Sequence, residues 1–186
     1  MNNPVITIGV SSCLLGNAVR YDGGHKHDRY ITDTLGRYFT FLPVCPEVEC
    51  GLPIPRESMR LEGDPAAPRL VTVKTRIDYT DRMLEYCAAK VKELEQANLC
   101  GFIFKKGSPS SGLYKVAVYN EGIPVQNGTG LFAASVARHF PMLPLEEDDK
   151  LHEPAIREDF MERVFSCCRW KNMSMFCQPD HDHHAA

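Results

Sequence analysis

The chain has 186 residues, 44% hydrophobic and 24% charged; this is the make-up of one soluble globular domain, or one domain with an appendage, and not of a disordered chain. A formal net charge of −3 argues against a chain dominated by a basic nucleic-acid-binding surface, and no apolar run approaches the roughly 18–20 residues of a membrane span. The start, MNNPVITIGVSSCLLG, has no basic stretch leading into a long apolar run and does not read as a secretory signal. The expected compartment is therefore the reducing cytoplasm, where the chain's cysteines point to metal binding or catalysis rather than to disulfides.

Residues 5–12, VITIGVSS, are an apolar run ending in small residues, the pattern of a buried strand that breaks into a loop. The loop behind it carries Cys13 and the turn-forming Gly16, Gly23 and Gly24. A helix is predicted over about 28–38, with Tyr30, Ile31, Thr34, Leu35 and Tyr38 on one face. FTFLPV (39–44) is a second strand ending at Cys45, and 45–56 is a proline-punctuated loop expected to lack regular structure. RLVTV (69–73) alternates as a strand does. The strongest helical pattern runs over 79–98, with Asp78 or Thr80 as its cap. CGFIFK (100–105) is another buried strand, followed by the loop KGSPSSG. VAVYN (116–120) is a short strand turning at EGIPV, and GTGLFAASVARHF (128–140) is a helix that opens after two glycines.

This order predicts an α/β fold, Rossmann-like, with a largely parallel sheet flanked by helices and a C-terminal helical extension. The α/β domain is expected over 1–145. Residues 146–186 read as an acidic linker and an amphipathic helix, roughly 154–170, the start of a second domain cut short. The apolar face of that helix, Phe160, Val164 and Phe165, either packs back on the core or belongs to that second domain. The final QPDHDHHAA reads as a frayed end, and His181, His183 and His184 need no role there.

In open α/β sheets, ligands bind outside the carboxyl ends of the strands. Strands 5–12, 39–44 and 100–105 each end in a loop rich in glycine, proline or serine. Ser11-Ser12-Cys13, Cys45-Pro46-Glu47 and Ser108-Pro109-Ser110-Ser111-Gly112 are thus expected to converge on one site. Thiols and an acid at loop tips are poorly placed for core packing, whereas Cys87 on the long helix and Cys100 at a strand start read as buried structural thiols. No two cysteines form a CxxC pair, so any metal site must be assembled from loops far apart in sequence. Arg20, Tyr21, Asp22, His25 and Lys26 make a polar cluster suited either to a base or phosphate or to a hydrogen-bonded surface loop. Arg56 is expected to pair with an acid or a phosphate, and Lys105 and Lys106 either steer an anion or simply end a strand in solvent. Gly128 and Gly130 either present backbone N–H groups to a ligand or merely open the helix.

The segments SSCLLGNAVRYDGGHK, PVCPEVECGLPIPR, FKKGSPSSG and GTGLFAA, in this order over about 5–145, resemble the thiouracil desulfidase family of iron–sulfur enzymes. LPLEEDDKLHEPAIREDFMERVF…RW is similar to the junction in longer relatives linked to 4-thiouridine, in which a helical C-terminal domain follows. The resemblance implies a [4Fe–4S] cluster held by three cysteines, one per loop, with one iron open to the substrate sulfur. By motif, Cys13 and Cys45 match two ligands, Glu47 the acid/base carboxylate and Ser108 an active-site serine. It also implies a non-redox, hydrolase-type exchange of a thiocarbonyl sulfur for oxygen. The partner is a small thiolated nucleobase or nucleoside, or such a nucleoside within tRNA, and no membrane is involved.

One position departs from the pattern. The third ligand in the resemblance is the cysteine of S-P-S-C-G, and this chain has Ser111 there. A serine hydroxyl is a hard, weakly acidic donor and a poor substitute for thiolate at iron. Three expectations follow. Only two protein thiolates hold the cluster, leaving an impaired enzyme or an accessory base-binding module of a tRNA-thiolation-related system; or Cys50 is recruited as third ligand; or Ser111 binds as an alkoxide. A small zinc protein using Cys13, Cys45 and Cys50 is the remaining alternative.

Overall fold

The computed structural model of the protein describes residues 5–176. Along the chain lie β1 (Thr7–Ser11), β2 (Thr40–Val44), the short α1 (Pro46–Glu49), β3 (Met59–Glu62), β4 (Arg69–Thr72) and α2 (Thr80–Gln96). Then follow β5 (Phe102–Phe104), β6 (Val116–Asn120), β7 (Ile123–Gly128), α3 (Leu131–His139), β8 (Leu145–Glu147) and α4 (Pro154–Phe176). One sheet is parallel throughout, in the order β2-β1-β5-β8. With α2 and α3 on one face and α4 on the other, this is the α/β class expected from the sequence.

Side-chain alternation along β5 divides the interior in two. Phe102 and Phe104, stacked with centroids 4.3 Å apart, face Phe132 of α3 and Met83, Cys87, Val91 and Leu94 of α2. Ile103 points the other way, to Ile8, Val10, Ile31, Leu35, Phe160 and Val164. Each of these large side chains stabilises the fold by about 1.5–3 kcal/mol through loss of apolar surface to water. The apolar face of α4 therefore packs back on the core: Phe160 and Val164 are both 0% exposed.

Several elements differ from expectation. A second sheet, β4-β3-β6-β7, is mixed: β3–β4 and β6–β7 are antiparallel and β3–β6 is parallel. Its strands β3 and β7 escape the hydrophobic pattern, because β7 is a solvent-facing edge and β3 ends in the buried, ion-paired Glu62. The proline-rich stretch 45–56 is not wholly irregular. Pro46 opens α1 at the first helical position, where its missing N–H is no loss. The expected helix at 28–38 is a π-helical turn, Tyr30–Thr34, running into a 3-10 turn, Leu35–Arg37. The expected linker begins as a strand instead: β8 crosses residue 145, and its Glu146 and Glu147 are buried. Among the described residues no helix is long and apolar enough to cross a membrane. His181, His183 and His184 lie outside the described residues.

Candidate active site

The carboxyl ends of β1, β2 and β5 are tied together before any ligand enters. At the end of β1, Ser11 Oγ accepts the Lys105 N–H at 2.9 Å, joining that strand to the end of β5. The next turn, Ser12–Leu15, carries Cys13, whose carbonyl accepts the Lys26 N–H at 2.9 Å and draws the following loop back over it. Cys45 heads α1, with its N–H on Glu49 Oε1 at 2.8 Å. The other oxygen of Glu49 accepts from Tyr86 Oη and Lys90 Nζ, each at 2.9 Å, so α1 is anchored to α2.

The serine loop is held from three sides. Gly112 N–H closes it on the Ser108 carbonyl at 2.7 Å. The buried carboxylate of Glu147 accepts the N–H groups of Leu113 and Tyr114 at 2.8 and 3.2 Å. The first amides of α3 are capped by the loop's own carbonyls, with Phe132 N–H on Ser110 O at 2.9 Å and Gly130 N–H on Gly112 O at 2.7 Å. A side chain at Gly130 would come within 2.5 Å of the Ser110 carbonyl carbon, so only glycine permits this approach. The Gly130 N–H thus serves the serine loop and is not offered to a ligand.

These loops enclose a cavity of about 410 Å³ whose wall includes Cys13, Cys45, Glu47, Ser108 and Ser111. These five sequence-predicted residues are brought together. Cys50 is not part of the wall: its thiol donates to the Glu47 carbonyl at 3.2 Å and packs toward α2. Of the polar cluster behind Cys13, Arg20, Tyr21 and Lys26 reach the cavity, and Asp22 and His25 do not. Lys105 and Lys106 line it too, but each is ion-paired, to Asp148 at 2.8 Å and Asp149 at 2.5 Å.

The polar groups of the wall form one connected circuit. Glu47 Oε2 accepts from Arg56 Nε at 2.8 Å and Nη2 at 2.5 Å, with the two side chains only 12% and 6% exposed. Arg56 therefore pairs with an acid, one of the two partners expected for it. Its guanidinium is pinned further by the carbonyls of Val19 at 3.0 Å and Pro53 at 3.3 Å. Glu47 Oε1 accepts from Ser110 Oγ at 2.8 Å, and Ser110 Oγ lies 3.0 Å from Ser108 Oγ. Ser108 Oγ in turn accepts the Ser110 and Ser111 N–H groups at 3.3 and 3.1 Å. Its own proton is thus free to run toward Ser110 and on toward Glu47. Ser110 is the participant that sequence reading missed, since nothing in S-P-S-S tells which hydroxyl turns to the acid.

The thiols are electrostatically quiet. Burial, reinforced by the neighbouring Cys45, pushes the Cys13 thiol up to about 11, and burial also raises Cys45 and Cys50. Raised thiols are protonated at neutral pH, which suits groups that give up a proton on meeting a metal better than free nucleophiles. Iron–sulfur clusters are held by thiolates. The cavity wall offers two, with the hydroxyl of Ser111 in the remaining loop. Among the described residues no three His, Cys, Asp or Glu side chains are arranged to share a metal ion. The residues present do not fit a cluster anchored by three protein thiolates, nor the zinc site considered for Cys13, Cys45 and Cys50.

Fold and cavity together define an α/β protein with a small polar cavity at the carboxyl ends of parallel strands, walled by two thiols, a carboxylate–guanidinium pair and serine hydroxyls. Residues 8–148 match the model of the 2-thiouracil desulfurase family. The chain belongs to that family. A solved structure described as the [4Fe–4S]-dependent thiouracil desulfidase TudS is similar to it, with 31% sequence identity and a TM-score of 0.66. That similarity covers 83% of this chain and 98% of the TudS chain. Among curated proteins, no sequence matches.

Proposed function

We propose that the protein is a desulfidase that takes a thiolated pyrimidine, thiouracil or 4-thiouridine, into the cavity and exchanges its sulfur for oxygen. The observation that carries this reading is the Glu47–Ser110–Ser108 circuit facing Cys13 and Cys45 in a member of the 2-thiouracil desulfurase family. The exchange needs no electrons: a C–O bond to water forms and the C–S bond breaks. The second proton of water leaves when the new hydroxyl closes to the carbonyl, so that sulfur departs as hydrogen sulfide with that proton and the one given up at the attack. Glu47 takes the first proton as water attacks the ring carbon and returns it to the departing sulfur, a role for which its position beside two relaying hydroxyls is suited. Arg56 occupies Oε2, leaving Oε1 as the working oxygen. Ser108 and Ser110 carry a proton between Oε1 and the substrate.

TudS is [4Fe–4S]-dependent; the same cluster would find thiolates here at Cys13 and Cys45 and only a hydroxyl at Ser111. Ser111 favours a second reading, a base-binding accessory module of a tRNA-thiolation-related system with impaired turnover. Incubation with 2-thiouracil, following uracil by chromatography and binding by calorimetry, separates the two. The desulfidase reading predicts uracil, with Glu47→Gln lowering its formation by about 10²–10⁴-fold while binding persists. Binding without turnover in the unmodified chain supports the accessory module, and absence of binding overturns both.

A further inference from the structure

Three thiols that have nothing to do with the cavity meet at the opposite, amino-terminal end of the parallel strands. Cys100 stands just before β5, its backbone N–H pinned on the Thr7 carbonyl at 2.8 Å. Cys167 and Cys168 face it from α4. Cys100 and Cys168 are 3% and 6% exposed, whereas Cys167 is half-buried and lines an open groove between 139–144 and α4. Cys100 lies within hydrogen-bond reach of both Cys167 and Cys168, and its own thiol donates to the Asn98 carbonyl at 3.8 Å. The helix comes very close to the strand at this level: a side chain at Gly101 would lie 2.9 Å from Val164 Cγ2 and 3.3 Å from the Pro144 carbonyl. Lys171, one turn beyond Cys167, donates to the Leu99 carbonyl and so holds a positive charge across the junction. Asn172 Nδ2 donates to Cys168 Sγ at 3.5 Å, occupying the third sulfur.

A junction built for packing alone has no use for a lysine clamped beside a partly exposed thiol, or for two further thiols gathered within reach of it. We propose that Cys167 is a peroxide-reactive thiol and that its oxidation product is a disulfide to Cys100, fastening α4 to the sheet. The Cys167 thiolate attacks one oxygen of hydrogen peroxide; the S–O bond forms, the O–O bond breaks, and with a proton the leaving oxygen departs as water. The Cys100 thiol then attacks the Cys167 sulfur. The S–S bond forms, the S–O bond breaks, and hydroxide takes the Cys100 proton to leave as a second water. Two thiols have lost two electrons and one hydrogen peroxide has become two waters.

The surroundings favour Cys167 as the first to react. Contact with Cys100, aided by the positive charge of Lys171, lowers its thiol from the ordinary cysteine value. Cys100 and Cys168, more deeply buried, are resolving or bystander thiols.

The test treats the intact, reduced protein with stoichiometric hydrogen peroxide, then alkylates remaining thiols and maps the peptides. A Cys100–Cys167 link is expected as the first disulfide. It is absent in Cys167→Ser, in which Cys100 remains a thiol, and present in Cys168→Ser. The oxidised protein melts at higher temperature because the link closes a long loop of the unfolded chain. Native-state alkylation of the unmodified protein needs no variant, and Cys167, which lines the groove, is expected to label before the buried Cys100 and Cys168. The proposal is overturned if Cys167 stays reduced while Cys13 and Cys45 oxidise, or if Cys100 links to Cys168.

Discussion

Replacing Arg56 with methionine removes the cation that holds Glu47 and keeps most of the volume. The pair is almost sealed, with 6% of the arginine and 12% of the glutamate side chain exposed, so water offers little compensation. Breaking a buried ion pair from one side costs about 3–5 kcal/mol, because a charge is left without its partner. Glu47 keeps the hydroxyl of Ser110 at 2.8 Å and sits on a cavity wall, which argues for the lower end, about 3 kcal/mol. The carbonyls of Val19 and Pro53 lose their donors as well, adding up to about 1 kcal/mol each. The expected loss is therefore about 3–5 kcal/mol. Urea unfolding followed by far-ultraviolet circular dichroism should show a midpoint lowered by more than about 1 M at unchanged slope. Glu47→Gln combined with Arg56→Met should recover part of the loss, with a coupling energy above about 1 kcal/mol. A loss below about 1 kcal/mol with no coupling is what an exposed pair gives, and it would refute the claim that Arg56 fixes the working carboxylate.

Ser110→Ala cuts the hydroxyl link between Ser108 and Glu47. Turnover of 2-thiouracil should fall by about 10²-fold with binding retained, and Ser110→Thr should restore most of it; equal loss in both variants would point to packing. Anaerobic reconstitution should leave the unmodified chain with substoichiometric or labile iron, while Ser111→Cys raises the iron content, and equal iron in the two would contradict the assignment of Ser111 as the missing ligand. Phe160→Ala should cost about 3–5 kcal/mol in urea unfolding, since Phe160 is 0% exposed; a cost under about 1 kcal/mol would mean that α4 is not docked. Arg76, with Arg60, holds the Glu62 carboxyl at about 2, against an ordinary 4.5. A lowered folded-state value gives stability that is present above 4.5 and lost as pH falls toward 2. The melting-temperature penalty of Arg76→Gln should accordingly shrink across that window, and a penalty independent of pH would argue for a purely steric effect.

The parallel sheet and the convergence of its loops could be read from sequence because the inner strands β1 and β5 are buried on both faces and spell it in continuous apolar runs, and the edge strand β2 keeps an apolar run that stops at Cys45. The helix α2 announced itself by its 3.6-residue period. What escaped were elements whose energetics are not apolar. The acidic start of the tail looked like a linker, yet Glu147 is 2% exposed because its carboxylate serves the backbone of the serine loop rather than solvent. Solvent-facing β7 has no alternation to detect. In the cavity, residue types were legible and partners were not. Glu47 and Ser108 stood out through the motif that carried them, and Arg56 through its need for an anion. Ser110 is one of three serines in four positions, distinguished only by where the loop turns it. The thiols Cys100 and Cys167, far apart in sequence, become neighbours only because α4 packs back on β5.

The most direct test of the account is the fate of 2-thiouracil in isotopically labelled water. Uracil carrying one labelled oxygen, with one sulfide released for each uracil and both lost in Glu47→Gln, is the predicted result. Unlabelled uracil, or sulfide out of proportion to it, would contradict hydrolytic sulfur-for-oxygen exchange at this site.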